Sequence, residues 1–233
     1  MTIGRSRKFA LVRRLPWLTA ATLVFLCGAS CSRLAQEKKP ENKWEKDIRA
    51  FEEQDRKSPP PRNAILFVGS SSIRMWKLPQ YFPGLTAINR GFGGSQISDS
   101  VEFAPRIVIP CRPKIIVFYA GDNDIAAGKT PRTLLKDFKA FAKIVHRNLP
   151  DTPIIFISIK PSIQRWKLIG QIREANKLIR AFIATDKRLR YLDVEPPMLG
   201  DDGKPRPELF VADGLHLNDA GYKLWTSLLL PFL

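Results

Sequence analysis

From residue 62 onward the chain alternates short, unbroken apolar runs with longer amphipathic segments, and few architectures accept that alternation. The apolar runs cover residues 65–68, 87–89, 114–119, 154–159 and 190–194. A strand buried on both faces reads this way, because neither face meets water. Between the later runs, apolar positions recur at helical spacing. Thr130 is a good N-cap with Pro131 at the first helical position, and Leu134, Phe138, Phe141 and Val145 then share one face. Ile172, Ala175, Ile179 and Phe182 repeat the pattern before the fifth run. Asn218 caps a last helix whose Leu224, Trp225, Leu228 and Phe232 face inward. Buried strands alternating with amphipathic helices imply a parallel sheet covered on both sides.

Five such strands predict an α/β fold: a flavodoxin-like, three-layer α/β/α sandwich around a five-stranded parallel sheet. At 233 residues the chain has room for one sizeable domain with its own core. Ahead of the first strand, Trp44, Ile48 and Phe51 recur among charges and predict a helix. Ser58-Pro59-Pro60-Pro61 stops it, because consecutive prolines cannot continue a helix. The folded domain is expected over residues 44–233, with that helix included.

The N-terminus reads differently. Arg5, Arg7, Lys8, Arg13 and Arg14 crowd the first fourteen positions, and the first thirty hold no Asp or Glu. An apolar stretch over residues 15–29 follows, with small residues Gly28, Ala29 and Ser30 at and just past its end. This is the pattern of an export signal, expected over residues 1–30. The stretch is short for a membrane span, which needs roughly 20 apolar residues. Gly28-Ala29-Ser30-Cys31 resembles a bacterial lipobox, in which the cysteine is lipidated and becomes the new N-terminus; Gly28 stands where that pattern favours Leu. An ordinary secretory cleavage nearby and an uncleaved anchor are the alternatives. Residues 31–43, polar and Lys-rich, then read as a tether. Cleavage before Cys31 would leave Cys111 as the unmodified thiol and no intramolecular disulfide. The expected location is the cell envelope, with a membrane tether through a lipid on Cys31.

The formal charge of +16 falls to +11 once the five leading basic residues are removed. The rest is spread along predicted helices (Lys136, Lys139, Lys143, Arg147; Arg173, Lys177, Arg180), as on solvated faces. With an export signal and no nucleic-acid-binding motif, the expected partners are anionic lipid or envelope polymers and no nucleic acid.

In an open parallel sheet, ligands bind at the carboxyl ends of the strands. Gly69-Ser70-Ser71-Ser72-Ile73 follows the first run, Gly91-Phe92-Gly93-Gly94-Ser95 the second, and Gly121-Asp122-Asn123-Asp124 the third. Asp213-Gly214-Leu215-His216 stands just before the last helix. These four blocks, in this order, resemble the SGNH (GDSL-type) esterase and lipase superfamily, above all its small bacterial GDSL-like esterases. That superfamily is named for a Ser, a Gly, an Asn and a His in four separated blocks, and the resemblance covers residues 64–233. It implies Ser71 as nucleophile, His216 as general base and Asp213 as its orienting acid. It also implies an oxyanion hole from the backbone N–H groups of Ser71 and Gly94 and the side-chain amide of Asn123, with no cofactor and no metal. Ser70 stands where the family usually has Asp, which leaves Ser70 and Ser72 open as alternatives to Ser71.

The residue types suit that chemistry. A serine hydroxyl is a poor nucleophile until a base takes its proton, and histidine is the side chain that accepts protons near neutrality. An acid three residues before His216 can reach Nδ1 from the same loop and leave Nε2 free for the serine. Gly94, without a Cβ, would let backbone approach substrate. The other histidine, His146, lies one past Val145 on the polar face of its helix and is expected to be solvent-exposed. Block 91–94 lacks Gly-x-Gly-x-x-Gly spacing and a following P-loop Lys. The Gly-x-Ser-x-Gly elbow is absent too, with Ile73 in its last position. Asp122 and Asp124 read as turn-capping residues, with no Cys/His cluster to make them metal ligands. Trp76, Tyr119 and Trp166 are either core or cleft-lining.

The expectation is therefore a cofactor-free serine esterase acting through an acyl-enzyme on Ser71. Its substrate would be a small-molecule or carbohydrate ester with a short-chain acyl or O-acetyl group, because no lid insertion with an apolar helix is evident. Alkaline pH should favour it over acidic pH, since His216 must be neutral to accept the proton. The alternative is a non-catalytic envelope polysaccharide- or lipid-binding protein on the same fold.

Overall fold

The computed structural model describes residues 42–233; the expected export signal, Cys31 and most of the expected tether lie outside the described residues. The elements are α1 (Glu45–Lys57), β1 (Ile65–Gly69), α2 (Ser71–Arg74), α3 (Leu78–Tyr81), β2 (Ala87–Gly91), α4 (Ile97–Ile107), β3 (Ile115–Tyr119), α5 (Asp122–Ala126), α6 (Pro131–Asn148), β4 (Ile154–Ile157), α7 (Ile169–Ile183), β5 (Leu189–Leu192) and α8 (Asp219–Leu229). The strands form one sheet in the order β2-β1-β3-β4-β5, every pair parallel. This is the flavodoxin-like sandwich expected from the sequence.

Strand pleating sorts the core into two layers, because successive side chains point to opposite faces. Leu66, Val68, Ile116, Phe118, Ile154 and Phe156 point to one side and pack with Ile48 of α1, Phe103 of α4, Phe138 and Phe141 of α6 and Ile179 of α7. Ile65, Phe67, Val117, Tyr119, Ile155 and Ile157 point to the other and pack with Trp76 and with Tyr222, Trp225 and Leu229 of α8. Each large apolar side chain fully buried here contributes about 1.5–3 kcal/mol relative to exposure. The buried stripe of α8 is Tyr222, Trp225 and Leu229, spaced i, i+3, i+7. Leu224, Leu228 and Phe232, expected inward, are only partly buried.

Two capping expectations hold: the Thr130 hydroxyl accepts from Thr133 N–H, and the Asn218 side chain accepts from Gly221 N–H. β4 ends earlier than its apolar run. Past Ile157 the Asn176 side chain of α7 takes over the backbone of Ile159, accepting its N–H and donating to its carbonyl, both at 2.9 Å. His146 is a correction. Its side chain is 8% exposed, with Nε2 3.1 Å from the Thr152 carbonyl and Nδ1 3.9 Å from Asp186. The chain entering β4 and the turn before β5 close over the flank of α6 that a helical projection leaves open.

Strand order reverses between β2-β1 and β1-β3, so a crevice opens beyond the ends of β1 and β3. Gly69, Gly91 and Tyr119, the last residues of β1, β2 and β3, are neighbours in register. The first three sequence blocks therefore leave the sheet side by side.

Candidate active site

β1 ends on a residue that only glycine can be. Gly69 has φ +141°, and a Cβ there would overlap the Tyr119 carbonyl oxygen. The chain turns at once into α2. Ser70 is buried with its hydroxyl unpartnered, Ser72 is buried, and Ser71 is half-buried as the first residue of the helix.

Of the three serines, Ser71 is the one whose hydroxyl meets the histidine: its Oγ lies 3.0 Å from His216 Nε2. His216 Nδ1 lies 2.6 Å from Asp213 Oδ2. The other carboxylate oxygen accepts from the backbone N–H groups of Leu215 at 2.8 Å and His216 at 2.9 Å. Burial raises the Asp213 carboxyl, but the His216 ring and these two N–H groups outweigh it and lower it to about 2. An ionised carboxylate only accepts, so Nδ1 carries the ring proton and Nε2 is free to accept from Ser71.

The loop carrying this pair is closed on itself. Val211 N–H donates to the His216 carbonyl and Gly214 N–H to the Val211 carbonyl, both at 2.9 Å. Asn218, while capping α8, also donates to the carbonyls of Glu208 and Phe210.

Gly94 and Asn123 sit on the adjacent strand ends. Asn123 Nδ2 donates to the Ser95 carbonyl at 3.0 Å, which leaves its second hydrogen uncommitted. Among the described residues, the backbone N–H groups of Ser71 and Gly94 donate to no protein group. Glycine at 94 has a further reason besides the one expected. It has φ +76°, and a Cβ would lie 3.2 Å from the Trp44 ring, so backbone conformation and the start of α1 both disfavour other residues.

Asp124 behaves as an anchor. It accepts from Ile97 N–H at the start of α4, at 3.1 Å, and pairs with Lys129 at 3.1 Å. Asp122 is no simple turn residue. It is buried, 3.3 Å from Lys160 Nζ and 2.9 Å from Arg165 Nη1. Burial alone would raise its carboxyl; the two cations outweigh that and hold it below the usual carboxylate range. Lys160, also buried, reaches the Tyr119 hydroxyl at 3.2 Å, and Arg165 Nη2 donates to Asn123 Oδ1 at 2.9 Å. Sequence reasoning missed this cluster. A lysine directly after a buried apolar run was its one visible signal.

Trp76 and Tyr119 are core residues. Trp166 instead lines an open groove of about 700 Å³ together with Ile163, Leu199 and the segment 200–208. The groove adjoins the histidine loop, because Gln164 N–H donates to the Gly214 carbonyl at 3.1 Å.

Residues 70–224 match the model of the GDSL-like lipase/acylhydrolase family. The chain belongs to this family. As a GDSL-like acylhydrolase it is a carboxylic ester hydrolase. It is 27% identical over 167 residues to human platelet-activating factor acetylhydrolase IB subunit alpha1, covering 68% of this chain and 70% of that one. The Bos taurus counterpart matches equally, at 27% over 167 residues. Among solved structures, a GDSL-like lipase from Bacteroides thetaiotaomicron superposes with TM-score 0.70 at 19% identity, covering 80% of this chain and 96% of that one. A carbohydrate esterase family 3 protein from Talaromyces cellulolyticus does so with TM-score 0.57 at 16% identity, over 72% and 95%. Both share the fold of this GDSL-like domain.

Proposed function

We propose that this GDSL-like protein is a serine esterase that cleaves small acyl groups, acetyl above all, through an acyl-enzyme on Ser71. The observation that carries the reading is the unbroken relay from Asp213 through His216 to Ser71, at 2.6 and 3.0 Å. Ser71 Oγ attacks the ester carbonyl carbon while its proton passes to His216 Nε2. Collapse of the tetrahedral intermediate breaks the bond to the alcohol, which leaves with that proton. Water then attacks the acyl-enzyme, again losing a proton to His216, and the released acid regenerates Ser71. The oxyanion of each intermediate takes hydrogen bonds from the Ser71 and Gly94 N–H groups and the second Asn123 amide hydrogen. Losing one such donor typically costs about 10²–10³ in kcat.

The preference for small acyl groups rests on what surrounds the relay. Between β5 and α8 the described chain carries two short 3-10 turns, Pro196–Met198 and Pro207–Leu209, and no apolar lid helix. An acetylhydrolase among the relatives and a carbohydrate esterase among the structural neighbours support acetyl esters of small alcohols or sugars as substrates. Export through residues 1–30 with lipidation of Cys31 would place the reaction at the envelope, a reading that rests on sequence alone. Membrane fractionation of the protein and of Cys31→Ala tests it.

The activity is tested on p-nitrophenyl esters from acetate to laurate, with Ser71→Ala alongside. Turnover that peaks at acetate to butyrate and vanishes in the variant supports the proposal. An optimum at laurate overturns the acyl-size reading. A folded protein with no turnover on any p-nitrophenyl ester points to a highly selective carbohydrate deacetylase or to the binding-only alternative.

A further inference from the structure

We infer that Arg165 is a positioning residue that sets which face of the Asn123 amide looks into the site, and that the buried Asp122–Lys160 pair holds Arg165 in place to do so. The inference rests on the role proposed above for Asn123.

An asparagine amide fits its space almost equally well with oxygen and nitrogen exchanged, and only one of the two orientations offers a hydrogen to an oxyanion. Here the choice is forced from both sides. The Ser95 carbonyl can only accept, and it takes a hydrogen from Nδ2 at 3.0 Å. The Arg165 guanidinium can only donate, and it gives one to Oδ1 at 2.9 Å. Exchanging the amide atoms would set oxygen against oxygen on one side and donor against donor on the other. A cation on Oδ1 also draws electron density from the amide, which makes the remaining Nδ2 hydrogen a better donor.

The rest of the cluster explains how an arginine is kept there. The Arg165 side chain is 16% exposed, so water does little to hold its charge. Its second nitrogen, Nη1, lies 2.9 Å from Asp122 Oδ2 as an ion pair without hydrogen-bond geometry, so one planar guanidinium meets two consecutive residues, 122 and 123. Lys160 sits 3.3 Å from the same oxygen and is steadied by the Tyr119 hydroxyl. Asp122 thus faces the Arg165 guanidinium on one side and the buried Lys160 amine, whose pKa burial lowers, on the other. Lysine lacks the planar fork and cannot span both partners.

The test uses the full chain, with steady-state kinetics on p-nitrophenyl acetate for Arg165→Lys, Arg165→Ala, Asn123→Ala and the double variant Asn123→Ala/Arg165→Ala. Melting temperatures identify the folded variants, and Arg165→Lys, which keeps the charge, is the one that decides if Arg165→Ala fails to fold. The expected result is a kcat lower by about 10- to 10²-fold in Arg165→Lys and Arg165→Ala, with KM within about two-fold, because part of an oxyanion donor's effect is lost. In the Asn123→Ala background, removing Arg165 should cost nothing further. Arg165→Lys at unchanged kcat overturns the inference. So does a loss that adds in full to that of Asn123→Ala, since Arg165 would then act by another route. Asn123→Ala at unchanged kcat is a different failure: it removes the oxyanion role proposed for Asn123 itself.

Discussion

Tyr222, on the inner face of α8, donates its hydroxyl to the main-chain oxygen of Ser72 at 3.0 Å. The histidine loop leads into α8, and Ser72 follows Ser71, so this one bond ties the two halves of the relay together across 150 residues of sequence. Tyr222→Phe removes the donor and leaves a buried carbonyl unpaired. Urea denaturation should show a loss of about 1–3 kcal/mol. Kinetics on p-nitrophenyl acetate should show kcat roughly ten-fold lower, because small misplacements of reacting groups are costly.

Asp213→Asn keeps the shape of the side chain and gives up the charge that dictates the His216 tautomer. A kcat loss on the order of 10⁴ is expected, as in other Ser-His-Asp enzymes, with KM little changed. An effect below ten-fold would deny Asp213 its orienting role.

The same residue leaves a mark on acid stability. Its folded-state carboxyl is lowered to about 2, below its unfolded value of about 3.9. A depressed carboxylate stabilises the fold above the unfolded value and loses that contribution as pH falls through the folded one. The melting-temperature gap between native protein and Asp213→Asn should be flat above pH 5 and close between about pH 4 and 2. The side chain is 41% exposed, so the gap should also shrink with salt.

His146 has its own pH window. Burial lowers it, and the Arg188 charge adds to that, against the Thr152 carbonyl and Asp186. The unfolded chain takes the proton first, so the contribution is complete above an unfolded value of about 6.5 and is lost as pH falls through the folded one. Urea midpoints at pH 7.5 and 5.0 should differ more for native protein than for His146→Gln.

Gly69→Ala should be the most damaging of these changes. No rotamer relieves a clash between a Cβ and the Tyr119 backbone. A loss above about 4 kcal/mol, or failure to fold, is expected in denaturant titration.

The strands and the relay were legible for a common reason. Each leaves a local trace: an apolar run with no polar interruption, then a block of a few residues whose types the chemistry dictates. What was misread depends on distant partners. His146 looks exposed on α6 alone and is covered by residues near 152 and 186. Asp122 looks like a turn residue beside Asn123, yet its partners Lys160 and Arg165 arrive from beyond β4. Gly94 has a second reason to be glycine, Trp44 fifty positions earlier, that no local pattern shows. The choice among Ser70, Ser71 and Ser72 turns on side-chain direction at a helix start, which no spacing rule contains.

Asp213 and His216 ride on one short, self-bonded turn, while Ser71 hangs from the sheet. The backbone bonds of that turn hold acid and base in one frame. The distance that joins two separately folded pieces is the one between histidine and serine. Residues 200–206 wall part of the groove and lie clear of the Glu208 and Phe210 carbonyls that anchor the turn, so a library confined to them would sample which alcohols are admitted while leaving that anchor in place.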